Sequence, residues 1–414
     1  MSVAEFLDVN REGRKTFALK AERTLHRITF NPSSANPGET LYVHLPKLSE
    51  HMVFVPNSVG LTFDITLEAV ASASADVNRR IVNNISRNLV SRMKVLYGGE
   101  ILQDTNRMDL FSTYKDLFLS KQERENMLRE GVSTESMIKH RTAAGDKGSD
   151  AKEIALAKVY GTKYRLALNH PVIDEHGVFN HRALNNTLSF EITLPESKQI
   201  CVNAAGKDYK YSLSNIELEY KCIHSDQLAD NAKVAYRSKG FYYENILLHK
   251  TFNIAKATDS VINEHINVPR RSMSGILMLF VEPFTVGARD SEKFVYPDLT
   301  NVNINVDGMP NKVYSRGMQK TDFWDSITAK FGITNNLTQK DFYAGDKFAL
   351  WIDLRTHPSD ELHGGGLMLN STKDGVKLEI KRTASGSGNI NCYVFVVADA
   401  AMTIMNSDLK DITY

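Results

Sequence analysis

The chain has 414 residues, with 50 Lys and Arg against 49 Asp and Glu for a formal charge of +1. Without a basic tail or an acidic block, strong non-specific attraction to a polyanion is not expected, because such affinity scales with the phosphates that Lys and Arg neutralise. Its three cysteines, Cys201, Cys222 and Cys392, are odd in number and lack CxxC spacing, which argues against a disulfide framework or a zinc knot and fits assembly in a reducing compartment.

The length allows two domains of roughly 150 to 200 residues. Residues 1–20 mix charge with small apolar side chains and read as an N-terminal arm ordered against a partner. The opening MSVAEFLDVNREGRK has no apolar signal region, so export by a signal peptide is not expected. The longest apolar stretch, 392–405, is too short to span a bilayer.

In chain order, 26–32 and 40–47 are short β-type runs separated by a Pro/Gly segment. Over 54–70 the period is two: Leu61, Phe63, Ile65 and Leu67 face one way, Thr62, Asp64, Thr66 and Glu68 the other. Residues 75–93 read as helix or loop leading into the strand LVSRMKVLYGG, where Gly98 and Gly99 supply a tight turn. The stretch 109–131 has helical spacing and stops at Gly131, an insertion decorating a sandwich. A polar loop covers 140–153, and strand patterns return at 164–173, 186–195 and 214–223.

A helix-capable linker, 224–245, separates this first domain (21–223) from a second (246–414). The second is built from β-type runs at 250–256, 274–283, 300–310, 347–356, 375–383 and 390–405, with a helical excursion at 318–331. The halves share a grammar. VLYGGEILQDTNRMDLFSTYKDLFLS and VNINVDGMPNKVYSRGMQKTDFWDSITAKFG both run strand, glycine turn, aromatic-rich helix, and each half closes on a short strand (188–192, 376–380) and a final apolar strand (214–223, 390–398). Strands do not alternate with helices as a parallel sheet requires, so the fold class is all-β: two eight-stranded antiparallel sandwiches with short helical insertions, jelly rolls rather than immunoglobulin-type domains.

No catalytic, cofactor or metal site emerges. His357, Asp360, Glu361 and His363 lack HExxH spacing and lie beside Pro358 and three glycines, which makes a loop. GGGLMLN lacks the Lys and hydroxyl of a phosphate loop. Glu217 with Glu219, and Asp408 with Asp411, fit wet strand faces. The aromatic groups Phe241, Tyr242, Tyr243 and Phe323, Trp324 stand among mixed charge, which favours core or interface packing over a nucleic-acid stacking platform. Arg270 and Arg271 flank an apolar strand as gatekeepers or interfacial partners. A carbohydrate-binding or glycan-processing β-sandwich is the alternative of another class; it needs two carboxylates across a groove, and Asp353, Glu379 and Glu219 offer no evident pair.

In order and spacing, 268–284, 296–314, 337–354 and 375–404 resemble the second half of major capsid proteins of adenovirus-like and polinton-type double-stranded DNA viruses. Val302, Ile304, Val306, Asp307, Gly308 and Pro310 fit one strand-turn motif of that family. Leu337, Asp341, Phe342, Gly345, Phe348, Ile352, Asp353 and Leu354 fit a second, and Val376, Leu378 and Glu379 a third. The likeness is generic over 20–223, and the large loop insertions of bigger relatives are lacking.

The resemblance implies a double jelly roll, three copies forming a pseudo-hexagonal capsomer, and capsomers tiling an icosahedral virion shell built inside the host cell; a minor or vertex capsid protein of the same lineage is the near alternative. Self-association would be the main partnership, with neighbouring capsomers, penton, cement or internal membrane proteins as further partners, no enzymatic activity, no cofactor and no specific nucleic-acid binding. Leu277, Leu279, Val394, Phe395 and Val396 are the expected core. Phe111, Tyr114, Phe118, Phe323 and Trp324 are the expected trimer seam, because aromatics anchor desolvated interface centres.

Overall fold

The computed structural model describes residues 22–69, 80–132, 163–174, 184–202, 209–235, 238–311, 313–355, 365–369 and 374–414. The N-terminal arm, the loop at 140–153 and the 357–363 cluster lie outside the described residues.

The first half contains β1 (Glu22–Thr29), β2 (Thr40–His44), β3 (Met52–Phe54), β4 (Gly60–Ala69), β5 (Arg80–Ile81), β6 (Arg92–Tyr97), β7 (Glu100–Asn106), β8 (Tyr164–Ala167), β9 (Leu188–Thr193), β10 (Cys201–Val202) and β11 (Tyr209–His224). The second contains β12 (Ser238–Ala255), β13 (Ser260–Ile266), β14 (Met273–Val281), β15 (Leu299–Val306), β16 (Met309–Pro310), β17 (Met318–Gln319), β18 (Ala349–Asp353), β19 (Val376–Arg382), β20 (Asn389–Met405) and β21 (Asp408–Thr413).

Each half folds into two antiparallel sheets. A major sheet, ordered β1-β11-β4-β8, covers a minor sheet ordered β2-β9-β6-β7; in the second half the orders are β12-β20-β14-β18 and β13-β19-β15-β16. Taken as the first to eighth principal strand of each half, the two topologies are identical. Both are jelly rolls, so the molecule is a double jelly roll, and the shared grammar in the sequence reflects a shared chain path. The short β3, β5, β10, β17 and β21 are additions at the edges and ends.

Local chemistry accounts for the elements. The alternation in β4 puts Leu61, Phe63, Ile65 and Leu67 into the first core. The two glycine turns are matching two-residue hairpins: Gly98 and Gly99 have φ of 62° and 93°, Asp307 and Gly308 of 49° and 80°, the pair of positive values that such a turn demands. The expected helix 109–131 is broken. It forms α2 (Met108–Asp116), then α3 (Lys121–Asn126) with a Ser120/Glu123 capping box, and ends in a 3-10 turn at Gly131, φ 75°. Before it lies the single turn α1 (Ile85–Asn88); Pro171–Asp174 forms another, α4, in a stretch that reads as strand in the sequence.

The linker stretch 224–245 holds α5 (Asp226–Ala235) and then the first residues of β12, which starts at Ser238 rather than near 250. That strand is long because its early half has a second job. Phe241 and Tyr243, with Ala400, Met402 and Ile404 of β20, belong to the core of the first sandwich. In the second half, α6 (Lys320–Phe331) and α7 (Gln339–Ala344) follow the hairpin, as α2 and α3 do in the first.

Candidate assembly surfaces

The register makes the two major sheets comparable residue by residue. In the first, Gly60 pairs with Glu219 and Ala167, and Thr62 with Glu217 and Arg165. In the second, Gly275 pairs with Val397 and Asp353, and Leu277 with Phe395 and Trp351. The two glycines do the same work. A Cβ on Gly60 would lie 2.8 Å from the Leu166 carbonyl oxygen and 3.1 Å from Arg165 Nε; on Gly275 it would lie 2.6 Å from the Ile352 carbonyl oxygen and 2.4 Å from the Trp351 ring. Each glycine thus opens space for one large side chain of the neighbouring strand: an arginine in one sandwich, a tryptophan in the other.

Around Trp351 the outward face of the second major sheet is apolar. Leu277, Leu279, Tyr393, Phe395 and Val397 are all at most 6% exposed. They cluster with Phe323 and Ile327 of α6, whose Ser326 Oγ donates to the Trp351 carbonyl, and with the aromatic residues of the α2 region of the first half. Phe111 meets Phe395 edge-on at 5.6 Å, Tyr114 meets Phe294 at 5.0 Å, and Phe118 stacks on Phe331 at 5.1 Å. Phe331 in turn reaches Trp351 at 6.4 Å. Desolvation within this packing pushes the Tyr114 phenol well above its ordinary range.

Polar contacts fix the orientation of the joint. Tyr243 OH and Asn245 Nδ2 both donate to the Leu102 carbonyl at 2.9 Å, and Thr105 Oγ1 donates to the Ile246 carbonyl at 2.5 Å. Arg124 pairs with Glu292 at 2.5 Å, Asn83 donates to the same carboxylate at 2.9 Å, and Ser291 Oγ donates to the Asn83 carbonyl at 2.8 Å. Arg107, held by Asp109, lies 4.8 Å from the Phe284 ring centroid, and Arg289 lies 4.5 Å from it. Burial lowers the Arg289 guanidinium to about 10. Apolar contact and desolvated hydrogen bonds together make the two sandwiches one rigid unit.

Four of the five aromatic residues expected at a trimer seam are buried within the chain. Phe111, Tyr114, Phe118 and Phe323 are at most 6% exposed within a single chain, and Trp324 is half-buried against Phe342 at 5.3 Å. The desolvated faces of the first four join or fill the sandwiches of one chain, while Trp324 keeps part of its surface exposed. The residues expected in the core, Leu277, Leu279, Val394, Phe395 and Val396, are at most 1% exposed. They divide between two layers. Val394 and Val396 lie inside the second sandwich, while Leu277, Leu279 and Phe395 lie on the outward face of its major sheet.

The outward face of the first major sheet is charged. Glu219, only 4% exposed, accepts from Arg27 at 3.0 Å and from Arg129 at 3.3 Å, with Arg165 at 3.6 Å. Arg165 also pairs with Glu130 at 3.4 Å, and Glu217 with Lys163 at 2.5 Å. Burial works to raise the Glu219 carboxyl, and the arginine hydrogen bonds outweigh it, holding it below the usual carboxylate range. Lys163 holds Glu217 down likewise. The wet strand face expected for this Glu pair is in fact a partly covered ion network.

The carboxylates considered for glycan chemistry are not brought together. Glu219 belongs to the first sandwich, whereas Asp353 and Glu379 lie in different sheets of the second. Asp353 is held by Arg355 at 2.6 Å and Glu379 by Lys381 at 3.0 Å. Arg270 stacks on Tyr414 at 4.9 Å. Among the described residues no group of three or more His, Cys, Asp or Glu side chains converges to hold a metal ion, and no helix is long and apolar enough to cross a membrane.

No family model matches the sequence, and no curated protein is similar to it. Solved structures are. The capsid of PBCV-1 aligns with a TM-score of 0.64 at 10% identity, covering 97% of this chain and 99% of that one. The Faustovirus major capsid protein aligns at 0.61 and 9% identity over 95% and 92% of the two chains, and the mavirus major capsid protein at 0.54 and 11% identity over 94% and 90%. The chain thus shares their fold over nearly its whole length.

Proposed function

We propose that this protein is a major capsid protein: a subunit that associates with two copies of itself into a pseudo-hexagonal capsomer, many of which tile an icosahedral virion. The observation that carries the reading is the pair of topologically identical sandwiches locked in one orientation within a chain whose fold matches virus capsid subunits along nearly its whole length. Two equivalent domains in each of three chains give six similar corners, which lets a threefold molecule fill a sixfold lattice position. The rigid joint supports this role, since a lattice of repeated contacts needs units whose corners stay put. Function on this reading is assembly, not turnover.

Light scattering and electron microscopy of the purified protein test it. A stable species at three times 46.5 kDa with hexagonal outlines is expected. A monomer at micromolar concentration, with no hexagonal particles, would overturn the proposal.

A further inference from the structure

We infer that the hairpin of β20 and β21, residues 398–414, is a strap that the second half of the chain lays into the first sandwich, and that the first sandwich reaches its folded state only once this strap has docked. Domains ordinarily fold as units, the one made first folding first. Here the half made first waits for residues 400–414. On the capsomer reading above, on which this consequence alone rests, a chain interrupted before residue 398 is kept out of the shell.

The character of β20 changes in mid-strand. From Cys392 to Ala398 every residue is buried, and beyond that only alternate residues are, namely Ala400, Met402 and Ile404. Its neighbour changes at the same place: β14 pairs with it up to Ala398, and β21 from Ala401 to Met405. So does the core it serves. Val394, Val396 and Val397 belong to the second core, whereas Ala400, Met402 and Ile404 belong to the first, where Ala400 pairs with Tyr243 and Met402 with Phe241 of β12. Leu409 and Ile412 of β21, and Tyr414 after it, pack on the first core as well. Ala400, Met402 and Ile404 are at most 1% exposed, so a first sandwich without the strap has apolar core side chains facing water.

Polar contacts hold both ends of the strap to the first sandwich. Its turn, Asn406 and Ser407 with φ of 50° and 68°, is a two-residue hairpin turn. There the Asn185 N–H donates to the Ser407 carbonyl at 3.0 Å and Asn185 Nδ2 to Asp408 Oδ1 at 2.8 Å, just ahead of β9. At the other end the Tyr414 hydroxyl donates to the Ile101 carbonyl of β7. Both anchors lead to the minor sheet of the first sandwich. The strap is tied back to its own half by the Arg271 N–H, which donates to the Tyr414 carbonyl at 2.9 Å, and by Arg270 stacked on the Tyr414 ring.

Hydrogen exchange read by mass spectrometry tests the strap on the full chain, with two lesions on the one strand. Ile404→Ser takes a strap side chain out of the first core, and Val394→Ser takes one out of the second. Ile404→Ser should raise amide exchange in β2, β6 and β9 at least about tenfold while β13, β15 and β19 keep the rates of the unmodified protein, and Val394→Ser should do the reverse. Where Ile404→Ser does not fold, Ile404→Val and Tyr414→Phe delete only one methyl group and one hydrogen bond, and a rise of about twofold or more is expected in the same strands. Exchange that rises equally in both sandwiches, or only in β20 and β21, would overturn the inference. The capsomer reading is decided separately, by the mass of the unmodified protein: a monomer with this exchange pattern keeps the strap and overturns the capsomer, whereas a trimer without it does the opposite.

Discussion

The two major sheets carry the same backbone and opposite outward faces. Glu219, Glu217, Arg165 and Thr62 in the first stand where Val397, Phe395, Trp351 and Leu277 stand in the second. The difference follows from what lies on top. The second face is sealed by the aromatic residues of the α2 region together with α6, and an unpaired charge there would be costly. The first is covered in part by Arg129 and Glu130, so its charges are paired and partly hydrated. Two sandwiches of the same topology differ at the positions where their neighbours differ.

Transplanting one face into the other is the strongest way to break this comparison. Phe395→Glu gives the second sandwich the residue of the first, and without arginines around it the carboxylate should cost at least about 4 kcal/mol, enough to remove most of the stability of an ordinary domain. Loss of soluble folded protein, or a collapse of the melting temperature, is expected; a variant that melts like the parent would show that the face is wetter than its burial indicates. Removing the lid is the milder version. Phe111→Ala should cost about 3–5 kcal/mol, read by chemical denaturation, through lost contact with Phe395 and the cavity left behind.

The paired glycines sharpen the same contrast. Gly275→Ala drives a methyl group into the Trp351 ring and a carbonyl, neither of which can swing away, and about 2–3 kcal/mol of destabilisation is expected from overpacking. Gly60→Ala meets a carbonyl too, but its other neighbour is the flexible Arg165 side chain, so about 1 kcal/mol is expected. Equal losses in paired melting experiments would mean that the shared carbonyl clash, and not the difference between Trp351 and Arg165, sets the cost.

Much of this architecture is legible in the sequence, and the rest fails for identifiable reasons. The alternation of β4, the two glycine turns and the helix at 320–331 are local patterns, set by side-chain period and by positive φ. The in-chain use of Phe111, Tyr114 and Phe118 is not local, because it depends on a helix crossing to another domain. One signal was available: β14 and the middle of β20 are apolar without alternation, which marks strands buried on both faces and so requires a cover on the outer one. No such signal marks Glu219. Its alternating pattern is that of a wet strand, and the arginines that cover it arrive from distant parts of the chain.

Acid gives the most specific effect. Glu217 and Glu219 have carboxyls held below their ordinary range in the folded protein, and an unfolded glutamate titrates near pH ~4.3. Their contribution to stability is therefore fully present above that pH and is lost as pH falls through the depressed folded values, because the unfolded chain takes up the protons first. The melting temperature should drop on acidification below about pH 4, and Glu219→Gln should flatten that dependence while lowering stability at pH 7 by about 1–3 kcal/mol, through weaker bonds from Arg27 and Arg129 and the lost ion pair with Arg165. The second sandwich supplies the control, since its equivalent residues Val397 and Phe395 do not titrate. An acid dependence unchanged by Glu219→Gln would place the titrating groups elsewhere and reduce this network to a surface ornament.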